Sequence, residues 1–256
     1  MKSIERSRSS VRVRFGDFAI DCMSRSDLVR AALADCATPP SKPRLIFDAN
    51  GHALSLARSD MGYRSAIAQA DIIHADGGFL VTLSKRLGLP MIPERSATTD
   101  MIHDFAAAFS NTNHGFFLLG GEERVNAKCS DVLKLKYPLL HISGRRNGFF
   151  SESDEEQIVD EINASCADIL WVGLGKPKEQ AFCIRWQHKI KAKWIITCGG
   201  CYNYITGDYK RAPAWMQRSN IEWLHRMATE PRKLLRRYAI TSPHALWIAL
   251  SDHGTS

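Results

Sequence analysis

Five short apolar runs, each closing on glycine or a polar turn and each followed by a helix-like stretch, constrain the fold of this chain more than any other feature. They read RLIFDANG, ADIIHADGG, GFFLLGGEE, ADILWVGLGKP and KWIITCGG. Their apolarity is continuous rather than alternating, the pattern of strands covered on both faces. Strand, turn and helix in repetition predict an α/β chain with a Rossmann-like, mostly parallel sheet and helices on both sides. Helices are expected near 24–36, 80–87, 100–109, 123–136, 154–165 and 179–189, and SESDEEQI reads as a capped, acid-rich helix start.

The rhythm stops after residues 197–200. Beyond residue 207 the chain turns basic and aromatic, with Trp215, Trp223 and Trp247. The expected division is an α/β catalytic domain over 1–206 and a basic C-terminal helical appendage over 207–256. The opening MKSIERSRSSVRVRFG is basic and serine-rich without an apolar centre, so it is expected to be a ragged lead-in, neither signal nor anchor. No window approaches the roughly 20 apolar residues that span a bilayer.

A chain of 256 residues can bury most of its apolar surface without cross-links. Its seven cysteines, odd in number and scattered, do not resemble a disulfide framework and point to a reducing, cytoplasmic compartment. The net charge of +7 is concentrated: residues 208–238 hold eight Lys/Arg against three Asp/Glu, a surplus of five. Such a patch calls for an anionic partner: nucleic acid, acidic lipid or a phosphorylated substrate. A nucleic-acid-binding module is the rival reading, but it would need exposed stacking aromatics or a reading helix. A nicotinamide-dependent oxidoreductase is disfavoured, since no G-x-G-x-x-G follows the first strand.

Ligands of open parallel sheets bind beyond the carboxyl ends of the strands. The turns at Gly77-Gly78, Gly120-Gly121, Gly173-Gly175 and Gly199-Gly200 should lie along that edge, where glycine lets backbone approach a ligand and helix N-termini offer N–H groups to a phosphate. Asp76 directly follows a strand; it can be a general base over the cleft or the N-cap of the next helix. Asn50 can bond a sugar or form an Asx turn. No D-x-D is present, so the diphosphate of a nucleotide sugar would be steadied by cations, for which Arg95, Lys178, Lys210 and Arg211 are candidates.

The run GDYKRAPAWMQRSNIEWLHRMATEPRKLLRRY (207–238) resembles the ending of the WecG/TagA/CpsF glycosyltransferases, glycosyltransferase family 26. The resemblance continues upstream through Asn50, Asp76-Gly77, Glu94-Arg95, Asp100, Gly120-Gly121, Tyr137-Pro138 and the G-L-G-x-P-K of residues 173–178, covering roughly residues 45–238. It implies an inverting, metal-independent enzyme with no cofactor. Such an enzyme takes a UDP-sugar and glycosylates a polyprenyl-diphosphate-linked sugar in bacterial surface polysaccharide synthesis, working as a peripheral protein on the anionic inner membrane face; the sequence leaves open whether it is a monomer or a homo-oligomer.

By the same resemblance Asp76 is the base and Asn50 lies near the sugar. Arg95 and the appendage arginines Arg211, Arg226, Arg232, Arg236 and Arg237 meet diphosphates, and the appendage closes the site and touches membrane. Asp100, Gly120, Gly121, Gly175, Pro177, Lys178, Glu179, Gln180, Gly199, Gly200 and Asn203 join them as substrate-binding candidates. Three positions depart from the family pattern: Glu179-Gln180 stands where it has Gln-Glu, Thr98 where it has glycine and Asn203 where it has aspartate. The donor is open among N-acetylmannosamine-type sugars, their uronates and glucose.

The C-x-x-C of TCGGCYNY (197–204) resembles neither a redox nor a zinc motif. The sequence after it is poor helix former, and no second ligand pair exists.

Overall fold

All five apolar runs become strands of one sheet in the computed structural model, which describes residues 11–213, 215–216, 224–225, 227 and 231–255, with only the backbone for 231–240 and 255. They are β3 (Arg44–Ala49), β4 (Ile72–Ala75), β5 (Gly115–Gly120), β7 (Ile169–Gly173) and β8 (Trp194–Thr197). With β6 (His141–Arg146) they form a six-stranded sheet of order β4-β3-β8-β7-β5-β6 in which every pairing is parallel. β5, β7 and β8 are buried at every residue, which accounts for their unbroken apolarity. β6, HISGRR, is an edge strand with only half-buried and exposed positions, so it carries no apolar signal.

Alternate strand residues feed two cores, as the period of two demands. On one face Leu45, Phe47, Leu170, Val172 and Ile195 pack against α2 (Gly51–Ser59), α3 (Met61–Ile67), α7 (Glu155–Ala164), α8 (Lys178–Trp186) and α10 (Pro231–Ser251). On the other, Ile46, Phe116, Leu118, Trp171, Trp194 and Ile196 meet α1 (Arg25–Ala37), α5 (Thr98–Phe109), α6 (Glu123–Lys136) and α9 (Cys201–Ile205). Phe105 of α5 sets its ring edge against Trp171, centroids 5.5 Å apart. The SESDEEQI start is a capping box between Ser151 and Asp154, one short turn before α7.

Two expectations are corrected. The N-terminal stretch is not a lead-in throughout: β1 (Arg12–Phe15) and β2 (Phe18–Asp21) form an antiparallel sheet with β9 (His253–Thr255), with Val13 and Phe15 fully buried. The apolar-polar alternation of Val13, Arg14 and Phe15 was outweighed in the sequence by the basic, serine-rich residues before it. This sheet also covers the edge of β4, where Ile73 N–H donates to Asp21 Oδ2 at 2.9 Å. Second, the poor helix sequence after Gly200 does form a helix, α9, because Tyr202 is buried and its hydroxyl reaches the carbonyls of Trp171 (2.9 Å) and Leu119 (3.3 Å). Tertiary packing overrides propensity there.

α10 runs back over α2. Ala245, Ile248 and Ala249 are buried in the core of the β3 face, and His244 Nδ1 lies 2.9 Å from Ser55 Oγ. Among the described residues no helix is long and apolar enough to cross a membrane.

Candidate functional site

The chain leaves β3 towards β4 on one side, while β7 and β8 return from the other, so connections part at the carboxyl ends of β3 and β8. A cleft of about 490 Å³ opens there, lined by the strand ends, the first residues of α2, α4 (Gly78–Arg86) and α5, and one face of α10. Three helix N-termini thus converge on one space, each bringing N–H groups that the helix itself does not bond.

Asp76 lines this cleft and is not the N-cap of the helix that follows it. Gly77 holds that position without any side-chain cap bond. Instead Asp76 Oδ1 accepts from the backbone N–H of Thr98 at 3.3 Å, at the start of α5, and Oδ2 accepts from Asn50 Nδ2 at 3.2 Å. The Thr98 contact comes from backbone, so threonine in place of glycine there leaves it intact. Asn50 caps α2, its Oδ1 accepting from Ala53 N–H at 3.1 Å, and its amide also donates to Asp48 Oδ2 at 3.0 Å. Gly77 fits closely opposite it: a Cβ there would stand 3.1 Å from Asn50 Cα, so a larger residue would crowd that backbone.

Beneath these lies a charged layer that sequence reasoning missed. Asp48 pairs with Lys176 and accepts from Thr197 Oγ1 at 3.2 Å; both charged side chains are nearly inaccessible. Burial pushes Asp48 up, but the Lys176 ammonium more than offsets it and holds the carboxyl below the usual range. The signal was a lone aspartate in an apolar run, two residues before Asn50 and so on the same face. Also missed were His52, Phe79, Tyr204 and the α10 residues Thr241, Ser242, Ala245 and Leu246, all of which line the cleft.

Glu179 is fully buried and staples two glycine turns. Its Oε2 accepts from the N–H groups of Gly175 and Gly199, both at 3.0 Å, while Oε1 faces Lys176 at 3.7 Å and Gln180 Nε2 at 3.3 Å. Burial pushes its carboxyl up to about 7. Gly175 and Gly199 both have positive φ (77° and 50°), which favours glycine. The Glu-Gln order therefore places a carboxylate where two backbone donors need an acceptor.

The expected residues divide by position. Asn50, Asp76, Arg95, Gly175, Glu179, Gly199 and Gly200 line the cleft together. Asp100 lies beside it as a shared counter-ion, hydrogen-bonded to Arg211 and 3.8 Å from both Arg25 and Arg95. Gly120 and Gly121 lie at the end of β5, away from the lining; a Cβ on Gly120 would meet the Gly173 carbonyl oxygen at 2.2 Å. Pro177 and Lys178 are exposed at the start of α8, Lys178 Nζ standing 4.5 Å from the Phe150 ring centroid. Gln180 is buried behind Glu179, and Asn203 sits on α9 outside the lining. Arg226 and the side chains of Arg232, Arg236 and Arg237 lie outside the described residues.

Among the described residues, Cys36, His114 and Asp168 could meet on a metal ion, but at the opposite end of the sheet. Asp168 there is already bound by Lys193, His114 and the Gly115 N–H. In the C-x-x-C, a hydrogen bond with Cys198 and burial both push the Cys201 thiol well up, which keeps it unreactive.

The model of the Glycosyl transferase WecG/TagA/CpsF family matches residues 13–255. The N-acetylglucosaminyldiphosphoundecaprenol N-acetyl-beta-D-mannosaminyltransferase of Bacillus spizizenii (strain ATCC 23059 / NRRL B-14472 / W23) is 28% identical over 200 residues, 78% of this chain and 77% of that protein. The match takes in β1 and β9 as well as the sheet and cleft, and with it the chain is shown to belong to the WecG/TagA/CpsF family of glycosyl transferases.

Proposed function

We propose that this chain transfers an N-acetylmannosamine-type sugar from UDP to a polyprenyl-diphosphate-linked N-acetylglucosamine, with inversion and without a metal, in bacterial surface polysaccharide synthesis. The acceptor and sugar follow the activity named for the Bacillus relative. The observation that carries the reading is the setting of Asp76, a carboxylate tethered by Asn50 and the Thr98 N–H at the mouth of a cleft where three helix N-termini and Arg95 gather.

In a single displacement the acceptor hydroxyl gives its proton to Asp76 while its oxygen bonds the anomeric carbon. The bond from that carbon to the diphosphate breaks, and UDP leaves with the electron pair. Helix N-termini and Arg95 are placed to receive that charge, with Arg211 held close by through Asp100. The exposed Trp215 and Trp247, near the basic stretch of 208–238, suit a protein that rests on an anionic membrane while its site takes a lipid-linked acceptor.

A panel of UDP-sugars offered with polyprenyl-diphosphate-linked N-acetylglucosamine, products identified by mass, tests the reading. UDP-N-acetylmannosamine should be consumed with full activity in EDTA, and Asp76→Asn should lower turnover by about 10² to 10⁴. Turnover that needs Mg²⁺ or Mn²⁺ would refute the metal-free scheme. No product from any donor would refute the substrate class.

A further inference from the structure

One charged group on the floor of the cleft takes no part in the displacement. The Lys176 side chain is 8% exposed, and its ammonium pairs with Asp48, which lies 128 residues away in sequence. The lysine stands at the position that the G-x-P-K motif leaves unspecified. Asp48 is tied in turn to the Asn50 amide, and that one nitrogen also holds Asp76. Two carboxylates on one amide repel each other at this range. An ammonium buried against the inner one cancels that repulsion.

We propose that Lys176 is a positioning residue for the transfer: by neutralising Asp48 it lets Asn50 hold Asp48 and Asp76 side by side, with Asp76 aimed at the acceptor. The role rests on Asp76 being the base. Groups from four elements surround the pair. Thr197 of β8 donates to Asp48, and His74 of β4 is kept from charging by burial. Burial likewise keeps the Tyr63 hydroxyl of α3 protonated, and Glu179 of α8 faces the ammonium from the other side. The carboxylate partners of Lys176 outweigh its burial and hold it above the ordinary lysine range.

The test is kcat/KM against pH for the parent, Lys176→Met, Asp48→Asn, the double variant and Asp76→Asn, with UDP-N-acetylmannosamine and polyprenyl-diphosphate-linked N-acetylglucosamine. Lys176→Met should move the acid limb up by about one pH unit or more and lower kcat near pH 7 roughly tenfold, with KM changing less. Asp48→Asn should move the limb down, because a like charge goes and the ammonium stays. With both charges removed, the double variant should return the limb toward the parent's. An unmoved limb in folded Lys176→Met, or in Asp48→Asn should the first variant not fold, overturns the proposal while leaving the base in place. Near-parent turnover in Asp76→Asn overturns the base, and the role of Lys176 with it.

Discussion

Asn50 donates through Nδ2 to Asp76 Oδ2 at 3.2 Å while its Oδ1 caps α2. With Asp48 taking the other amide hydrogen, both donors of Asn50 are spent inside the protein. The residue is therefore an aligning group for the carboxylate as well as a helix cap, and its two tasks separate by substitution.

Asn50→Ala removes both. Losing the cap should cost about 1 kcal/mol of stability, read as a lower Tm, and losing the alignment should lower kcat more than it raises KM. Asn50→Asp keeps a capping oxygen yet places a third carboxylate beside Asp48 and Asp76, so it should hold stability better than alanine and turn over more slowly. If Asn50→Asp matched the parent in kcat, the amide would have no aligning role.

Asp100 and Glu179 depart from ordinary carboxylates in opposite directions. Burial pushes Asp100 up, but the hydrogen bonds and charge of Arg211, with Arg95 and Arg25, more than offset it. Its folded value thus lies below its unfolded one, so its contribution is present above the ordinary carboxylate range and lost as pH falls through the depressed value. Asp100→Asn should flatten the acid-side fall of Tm. A curve parallel to the parent's below about pH 4 would show that the arginine cluster adds no stability through this group.

For Glu179 the sign reverses. Its folded value is raised to about 7 from 4.5, so the folded chain keeps a proton that the unfolded chain has already released. Stability from this group therefore declines as pH rises from about 4.5 to about 7, by at most roughly 3 kcal/mol. Glu179→Gln should remove that decline, while its amide oxygen can still accept from Gly175 and Gly199. Calorimetric Tm values at pH 5 and 7 check it: the drop between them should shrink in the variant, and an unchanged drop would place the proton elsewhere.

The five buried strands were legible because burial on both faces leaves an unbroken apolar run. The glycine turns were legible because glycine is the usual residue where a strand ends, and Gly120, Gly121, Gly175 and Gly199 do take positive φ there. What escaped is what the sequence disguises. β6 lies at an edge and is written in histidine and arginine, and β9 is three residues long and depends on β1 from the other end of the chain. Asp76 and Asn50 both line the cleft, but the hydrogen bond that joins them spans 26 residues. Lys176 and Asp48, 128 residues apart, become a pair only when β3 lies beside β8 and the turn after β7 folds over it. Spacing cannot show such contacts.

Val13 and Phe15 are fully buried, Gly16 N–H donates to Asp252 O at 2.7 Å, and Arg14 pairs with Asp252. β1 therefore joins the end of α10 to the core that supports β3 and β4. α10 lines the cleft with Thr241, Ser242, Ala245 and Leu246, so loosening β1 should be felt at the site. Phe15→Ala should cost about 3 to 5 kcal/mol and raise KM for the donor. A truncation through residue 16 that kept the parent's Tm and KM would show that the strand is dispensable, and that α10 is held by its packing on α2 alone.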